Sequence, residues 1–128
     1  MIKSIVLVWA SNNKEKYGNK ILKDLVEKGY TVFPINPKEE EIEGIKAYKN
    51  LKSFLQTKKD FDVINFVVRP SVIYKELKEN LEKIQDKKIW CQPWASDDDV
   101  IRFLHENDFK DYIVNSCIML EDLKKYKK

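Results

Sequence analysis

Glycine is scarce in this chain. There are 3 glycines in 128 residues, where average usage of about 7% would give roughly nine. The glycine-rich phosphate loop of ordinary dinucleotide-binding domains is therefore missing: Trp9, Ser11 and Lys14 stand where glycines are wanted. Cysteine and histidine are almost absent. Two cysteines, Cys91 and Cys117, cannot build a disulfide framework, and His105 alone cannot anchor a metal cluster. No apolar run approaches the roughly 20 residues that a membrane span requires. No single sign of charge dominates either: 24 basic residues face 21 acidic ones, for a net charge of +3. The signs are interspersed, so the one-sided basic face of a nucleic-acid-binding protein is not expected.

What remains is a balanced globular composition, 43% hydrophobic and 35% charged. Its length suits one domain, residues 1–128, with one core. The N-terminal apolar stretch is short and has no basic leader, so it reads as a strand, and a cytoplasmic location is expected. Strand-like and helix-like segments alternate, which predicts an α/β fold: a doubly wound, mostly parallel sheet of about five or six strands with helices on both faces.

Residues 5–9 are nearly all apolar, as a strand buried on both faces should be. A helix is expected over 18–28, with Ile21, Leu22, Leu25 and Val26 inward and Gly29 as its stop. Residues 30–35 form the second strand. Residues 38–50 are irregular, with a short edge strand at 44–48 and a helical turn at 51–55. Strands follow at 61–68, 88–92 and 111–114. A helix begins near Ser71, with Val72, Ile73, Leu77, Leu81 and Ile84 on one face. Another begins after Ser96, read as its cap with Asp99 three residues on, and buries Val100, Ile101 and Leu104. A lysine-rich helix is expected from about Leu120.

In an open parallel sheet, ligands bind beyond the carboxyl ends of the strands, where the strand order reverses. The loops to watch are 9–18, 36–38, 68–71, 92–96 and 115–119. The first leads into a helix N-terminus, whose free amides and dipole suit a phosphate. Ser11, Asn12 and Asn13 have two open readings, as ligand partners or as helix caps. Asn36-Pro37-Lys38 replaces the acidic residue that would hold a free ribose diol. Lys38 has two open readings, an ordinary surface lysine or a contact that fits a phosphorylated ribose better than a free diol, and the second favours CoA or, less strongly, NADP over NAD. No acid–base pair, nucleophile or metal site stands out. Cys117 lacks a nearby histidine and reads as a buried structural thiol. Asp97, Asp98 and Asp99 are accounted for by a helix N-terminus.

Read in order, the loops carry a pattern. Ala10-Ser11 is followed by Lys16-Tyr17-Gly18-Asn19-Lys20, then by residues 30–38, 43–48 and 63–68, Gln92-Pro93 and 117–119. This pattern resembles the stand-alone CoA-binding domain family, which is related to the CoA-binding domain of the succinyl-CoA synthetase α subunit. The resemblance implies a Rossmann-like fold with CoA across the strand ends. It would place Ser11, Lys16 and Gly18 at the pyrophosphate, and Asn36, Pro37 and Lys38 near the adenosine and its ribose phosphate. Val68 and Pro70 would border the nucleotide, with Gln92 and Pro93 flanking the cleft. It further implies a non-catalytic binding protein. A degenerate scaffold that acts through a protein partner is the alternative, and a small acyl-CoA-related enzyme or ligase subunit the third reading; a homo-oligomer is also open as a partner.

Three positions depart from the family. Trp9 and Trp94 replace glycines, and Arg69 replaces a common proline. Glycine serves where backbone approaches a ligand or takes a positive φ. The two indoles therefore have three open readings: they fill the pocket and block CoA, they reshape it so that a nucleotide stacks on them, or they turn into the core. Under the second reading, Arg69 would supply a phosphate contact.

Overall fold

A computed structural model describes residues 1–125. Its centre is a five-stranded, wholly parallel sheet. The strands are β1 (Ser4–Val8), β2 (Thr31–Ile35), β5 (Val63–Phe66), β6 (Lys88–Cys91) and β7 (Tyr112–Ile113), in the order β2-β1-β5-β6-β7. After β1 the chain steps to one side and makes β2. It then crosses back to lay down β5, β6 and β7 on the other side. The order therefore reverses between β1 and β5, and that is where a doubly wound sheet opens a crevice.

Side-chain alternation explains why the strands are apolar throughout. Ile5 and Leu7 of β1 pack on one face of the sheet, with Val32, Val63 and Trp90. Val6 and Val8 pack on the other, with Ile64, Phe66, Ile89 and Cys91. Both faces are covered, so neither register position tolerates a polar residue without a partner. Helix α1 (Tyr17–Glu27) covers the first face with Ile21, Leu22 and Leu25, joined by Ile118 and Leu123. Helices α2 (Leu51–Gln56), α3 (Pro70–Glu79), α4 (Leu81–Ile84) and α5 (Asp98–Glu106) cover the second. Phe54 anchors α2 there, with ring centroids 4.9, 5.1 and 5.5 Å from Phe33, Tyr48 and Phe61.

Several expectations are corrected. Val26 is exposed and takes no part in the core; Ile21, Leu22 and Leu25 complete the buried stripe, and Val26 lies one helical step past it. The edge strand expected at 44–48 is instead half of a separate hairpin, β3 (Glu41–Ile42) with β4 (Ile45–Lys46). Of this segment, Tyr48 joins the main sheet, through a parallel bridge to Ile35. The cap of α5 is Asp97, not Ser96: the Asp97 carboxylate accepts from the Val100 amide at 2.9 Å. Residues 118–120 and 123–125 are short 3-10 turns rather than a lysine-rich helix. The rest of that expected helix, Lys127 and Lys128 included, lies outside the described residues. No helix among the described residues is long and apolar enough to cross a membrane.

Candidate functional site

Four strand-end loops converge on one open cleft of about 580 Å³. The loop after β1 contributes Trp9, Ser11, Lys16, Tyr17 and Gly18. The end of β2 contributes Asn36, the loop after β5 contributes Val67, Val68, Arg69, Ser71 and Val72, and the loop after β6 contributes Trp94. The cleft sits at the reversal point between β1 and β5, with a volume in the usual range for small-molecule sites. The fifth loop, 115–119, does not line it.

Two helices begin at this cleft, α1 after Lys16 and α3 after Arg69. Neither has a side-chain cap, and neither has an acidic residue in its first turn. The amides of Tyr17, Gly18 and Ser71 find no partner among the described residues, which is the usual state of an opening helical turn. Pro70 occupies the first position of α3, where its missing N–H is not needed. Helix α5 differs: Asp97, Asp98 and Asp99 satisfy its N-terminus from within. The cleft thus gathers two open positive dipole ends. Lys16 and Arg69 add full charges, and neither forms an ion pair among the described residues. The arrangement suits a phosphate or diphosphate.

The first loop is held rigidly by asparagines. Asn36 Nδ2 donates to the Ala10 carbonyl at 2.8 Å, while its Oδ1 accepts from the Lys38 amide at 2.8 Å. Asn12 ties the loop to the hairpin, donating to the Glu41 carbonyl and accepting from the Glu43 amide. Buried Asn19 donates to the Ser11 carbonyl at 2.9 Å and to the Glu43 carboxylate at 3.1 Å. Ser11 and Asn13 form local turns, accepting from the amides of Asn13 and Glu15. No side chain caps α1; Ser11, Asn12 and Asn13 instead bond within the loop and to the hairpin.

The Asn19 hydrogen bond holds the Glu43 carboxyl below its ordinary value; desolvation opposes this, and Lys23 and Lys14 reinforce it. A depressed pKa means that this brace is fully present above the ordinary value of 4.5 and is lost as the pH falls through the lower folded value. Amides of residues 11–16 are therefore expected to exchange faster, relative to intrinsic rates, at a pH where Glu43 is protonated than at about pH 6. Glu43→Gln should erase the difference. Equal protection at both pH values in the unaltered protein would contradict the assignment.

Tryptophan accounts for the cleft's unusual wall. Trp9 has φ of +72°, a left-handed conformation that costs a non-glycine residue about 1–2 kcal/mol. Its carbonyl lies against Gly18, where an added Cβ would come within 2.2 Å of the carbonyl oxygen. Trp94 packs on Tyr17, with ring centroids 4.6 Å apart. Trp9 is 37% exposed, Tyr17 51% and Trp94 44%. Neither Trp9 nor Trp94 turns into the core, so that reading is overturned. The core indole is Trp90, whose Nε1 donates to the Ser116 carbonyl at 2.9 Å.

The remaining sequence-selected residues fall outside the cleft lining. Pro37, Lys38 and Pro93 are not part of its wall, and Pro70 lines a neighbouring groove. Gln92 is fully buried beneath it: its Oε1 accepts from Asn65 Nδ2 and the Ile118 amide, and its Nε2 donates to Cys117 Sγ at 3.2 Å. Cys117 is only half-buried, whereas burial pushes the Cys91 thiol up to about 12. Tyr17, Val67, Ser71 and Val72 were not selected from sequence. Tyr17 carried one signal, its place directly before the glycine of the α1 entry. Among the described residues, no group of three or more His, Cys, Asp or Glu is placed to hold a metal.

Comparison with known proteins places this geometry. A solved structure of a conserved hypothetical protein from Pyrococcus furiosus superposes with a TM-score of 0.85 at 45% identity, covering 94% of this chain and 99% of that one. A hypothetical protein from Pyrococcus horikoshii gives 0.79 at 29% identity, over 92% and 80% of the two chains. Among curated proteins, an ADP-forming acetate–CoA ligase of Methanocaldococcus jannaschii is 40% identical over 77 residues, 60% of this chain and 10% of that protein. The α subunit of ADP-forming acetate–CoA ligase II from P. furiosus is 43% identical over 51 residues, 39% of this chain and 11% of that subunit. The matched stretches thus span about a tenth of the length of these two curated relatives. The CoA binding domain model matches residues 3–122, nearly the whole length over which the sheet, the cleft and its loops are built, and the chain belongs to that family.

Proposed function

We propose that the cleft binds CoA, as a binding module with no chemistry of its own. The observation that carries this reading is the pair of carboxylate-free helix N-termini, α1 and α3, opening on one cleft beside Lys16 and Arg69. A diphosphate bridging them would meet free amides on both sides. Membership of the CoA binding domain family supports CoA over other phosphorylated ligands. In this reading the indoles reshape the site rather than plug it, which the cleft of about 580 Å³ with both side chains on its wall supports.

A midpoint of thermal unfolding that rises with CoA concentration is the expected result. At a hundredfold excess over Kd the gain is about 2.7 kcal/mol, or roughly 8–13 °C for a domain of this size. No rise with CoA, at concentrations up to the millimolar range, would contradict the reading.

A second reading rests on the relatives. Both curated matches are acetate–CoA ligases, and one is described as a subunit. Under it, this chain presents CoA to a separate protein that carries the ligase chemistry.

A further inference from the structure

A second groove, of about 510 Å³, opens beside the cleft between α3 and α5. Ser71 lines both. Tyr74 and Phe103 form the apolar part of the groove, with ring centroids 4.9 Å apart and planes at 59°. Tyr74 is 38% exposed, so part of this aromatic surface is left uncovered. The rest of the lining is acidic. Asp97 and Asp99 stand at the N-terminus of α5 and Glu106 at its C-terminus. Arg102, between them, is the one cation of the lining, and it is paired with Asp99 at 3.3 Å. Three carboxylates thus face one guanidinium in a chain whose net charge is +3. Outside the groove, Lys78 Nζ lies 5.8 Å from the centroid of the Tyr74 ring, so this ring already attracts one ammonium.

The helix dipole accounts for Asp97 and Asp99 but not for Glu106. A carboxylate in the last turn of a helix is unfavourable, and Glu106 forms no ion pair among the described residues. We infer that the α3–α5 groove docks a short helix of a partner protein, basic at two positions seven residues apart and apolar between them. Charge complementarity and spacing carry the inference. Asp99 and Glu106 are seven residues apart on α5, two turns or about 10 Å along one face. A helix laid along α5 meets both carboxylates with cations at the same spacing. Arg102, midway, repels a third cation, so the middle of the partner must be apolar, and Tyr74 and Phe103 receive it. A second copy of this chain does not fit. Across a two-fold axis, antiparallel α5 helices would set Asp99 against Glu106 and Arg102 against Arg102, and parallel ones would set each charge against itself. The inference does not depend on which ligand the cleft takes.

The test uses a fluorescein-labelled, alanine-based helical peptide with arginines seven residues apart and two leucines between them on the same face. Its fluorescence anisotropy should rise saturably with the unaltered chain. A matched peptide with glutamates in place of the arginines should not bind. Glu106→Lys is expected to weaken the arginine peptide about tenfold. This variant should keep its fold, since a cation at a helix C-terminus is favourable. Tyr74→Ala should weaken it about fivefold or more. Asp86→Lys alters an exposed acid outside the groove by the same charge and should bind the peptide as the unaltered chain does. Equal weakening by Asp86→Lys and Glu106→Lys would reduce the attraction to overall charge and overturn the inference. Binding of the glutamate peptide as tightly as the arginine peptide would overturn it too. So would no binding of the arginine peptide at concentrations up to the millimolar range. None of these measurements involves CoA, so their failure leaves the reading of the cleft standing.

Discussion

Gly18→Ala is expected to destabilise the protein by about 3 kcal/mol or more, seen as a fall of about 10 °C or more in unfolding midpoint. A Cβ at residue 18 would lie 2.2 Å from the Trp9 carbonyl oxygen and 3.2 Å from the Ala10 Cα. Both are backbone atoms, so no side chain can rotate away. The backbone cannot yield cheaply either. The Trp9 amide donates to the Ile35 carbonyl at 2.9 Å, and the Ala10 carbonyl accepts from Asn36 Nδ2 at 2.8 Å. Relief would require α1 to lift from the sheet, uncovering Ile21, Leu22 and Leu25, which are fully buried. Gly29→Ala is the control. Its φ is +94°, but nothing lies within 4 Å of the new Cβ, so only the backbone term of about 1 kcal/mol applies. Thermal denaturation of both variants separates the effects. A Gly18→Ala midpoint no lower than that of Gly29→Ala would mean that α1 is not clamped to β1 as described.

Ser71→Asp is expected to separate stability from binding. A carboxylate in the first turn of α3 interacts favourably with the helix dipole, so the free protein should keep its unfolding midpoint or gain slightly. Binding should collapse. A negative charge about 5 Å from a bound phosphate, at an effective dielectric near 20, opposes it by about 3 kcal/mol, more than a hundredfold in Kd. Ser71 lines the cleft, and no acidic residue stands in that turn now. Calorimetry with CoA and thermal denaturation, run on the same preparation, give the two readouts. Undiminished CoA affinity would remove α3 from the ligand site.

The central strands and α1 were legible because burial on both faces forces continuous apolar runs, and because Ile21, Leu22 and Leu25 share one helical face. The carboxyl-end loops were legible from topology alone: a sheet of this winding can gather ligand contacts in few other places. The C-terminal segment was misread for a physical reason. Ile118 and Leu123 are buried five residues apart while Leu120 is exposed, a spacing that fits no α-helical face. The α5 cap slipped by one residue because Ser96 and Asp97 are both good caps, and the two turn chemistries look alike in sequence. Gln92 was legible as special but not as buried. Its role depends on Asn65, Cys117 and Ile118, brought together from two other strand ends. The Tyr17–Trp94 ring contact joins residues far apart in the chain, and no periodicity reports such a contact.

The most direct test is to titrate CoA into the isotope-labelled chain and follow individual backbone amides by nuclear magnetic resonance. Saturable shifts are predicted first and largest at Tyr17, Gly18 and Ser71, with the Trp94 indole N–H following the same curve. Unmoved signals at those three amides, or shifts concentrated on a different face of the sheet, would contradict the claim that two open helix ends form the seat of the ligand's phosphates.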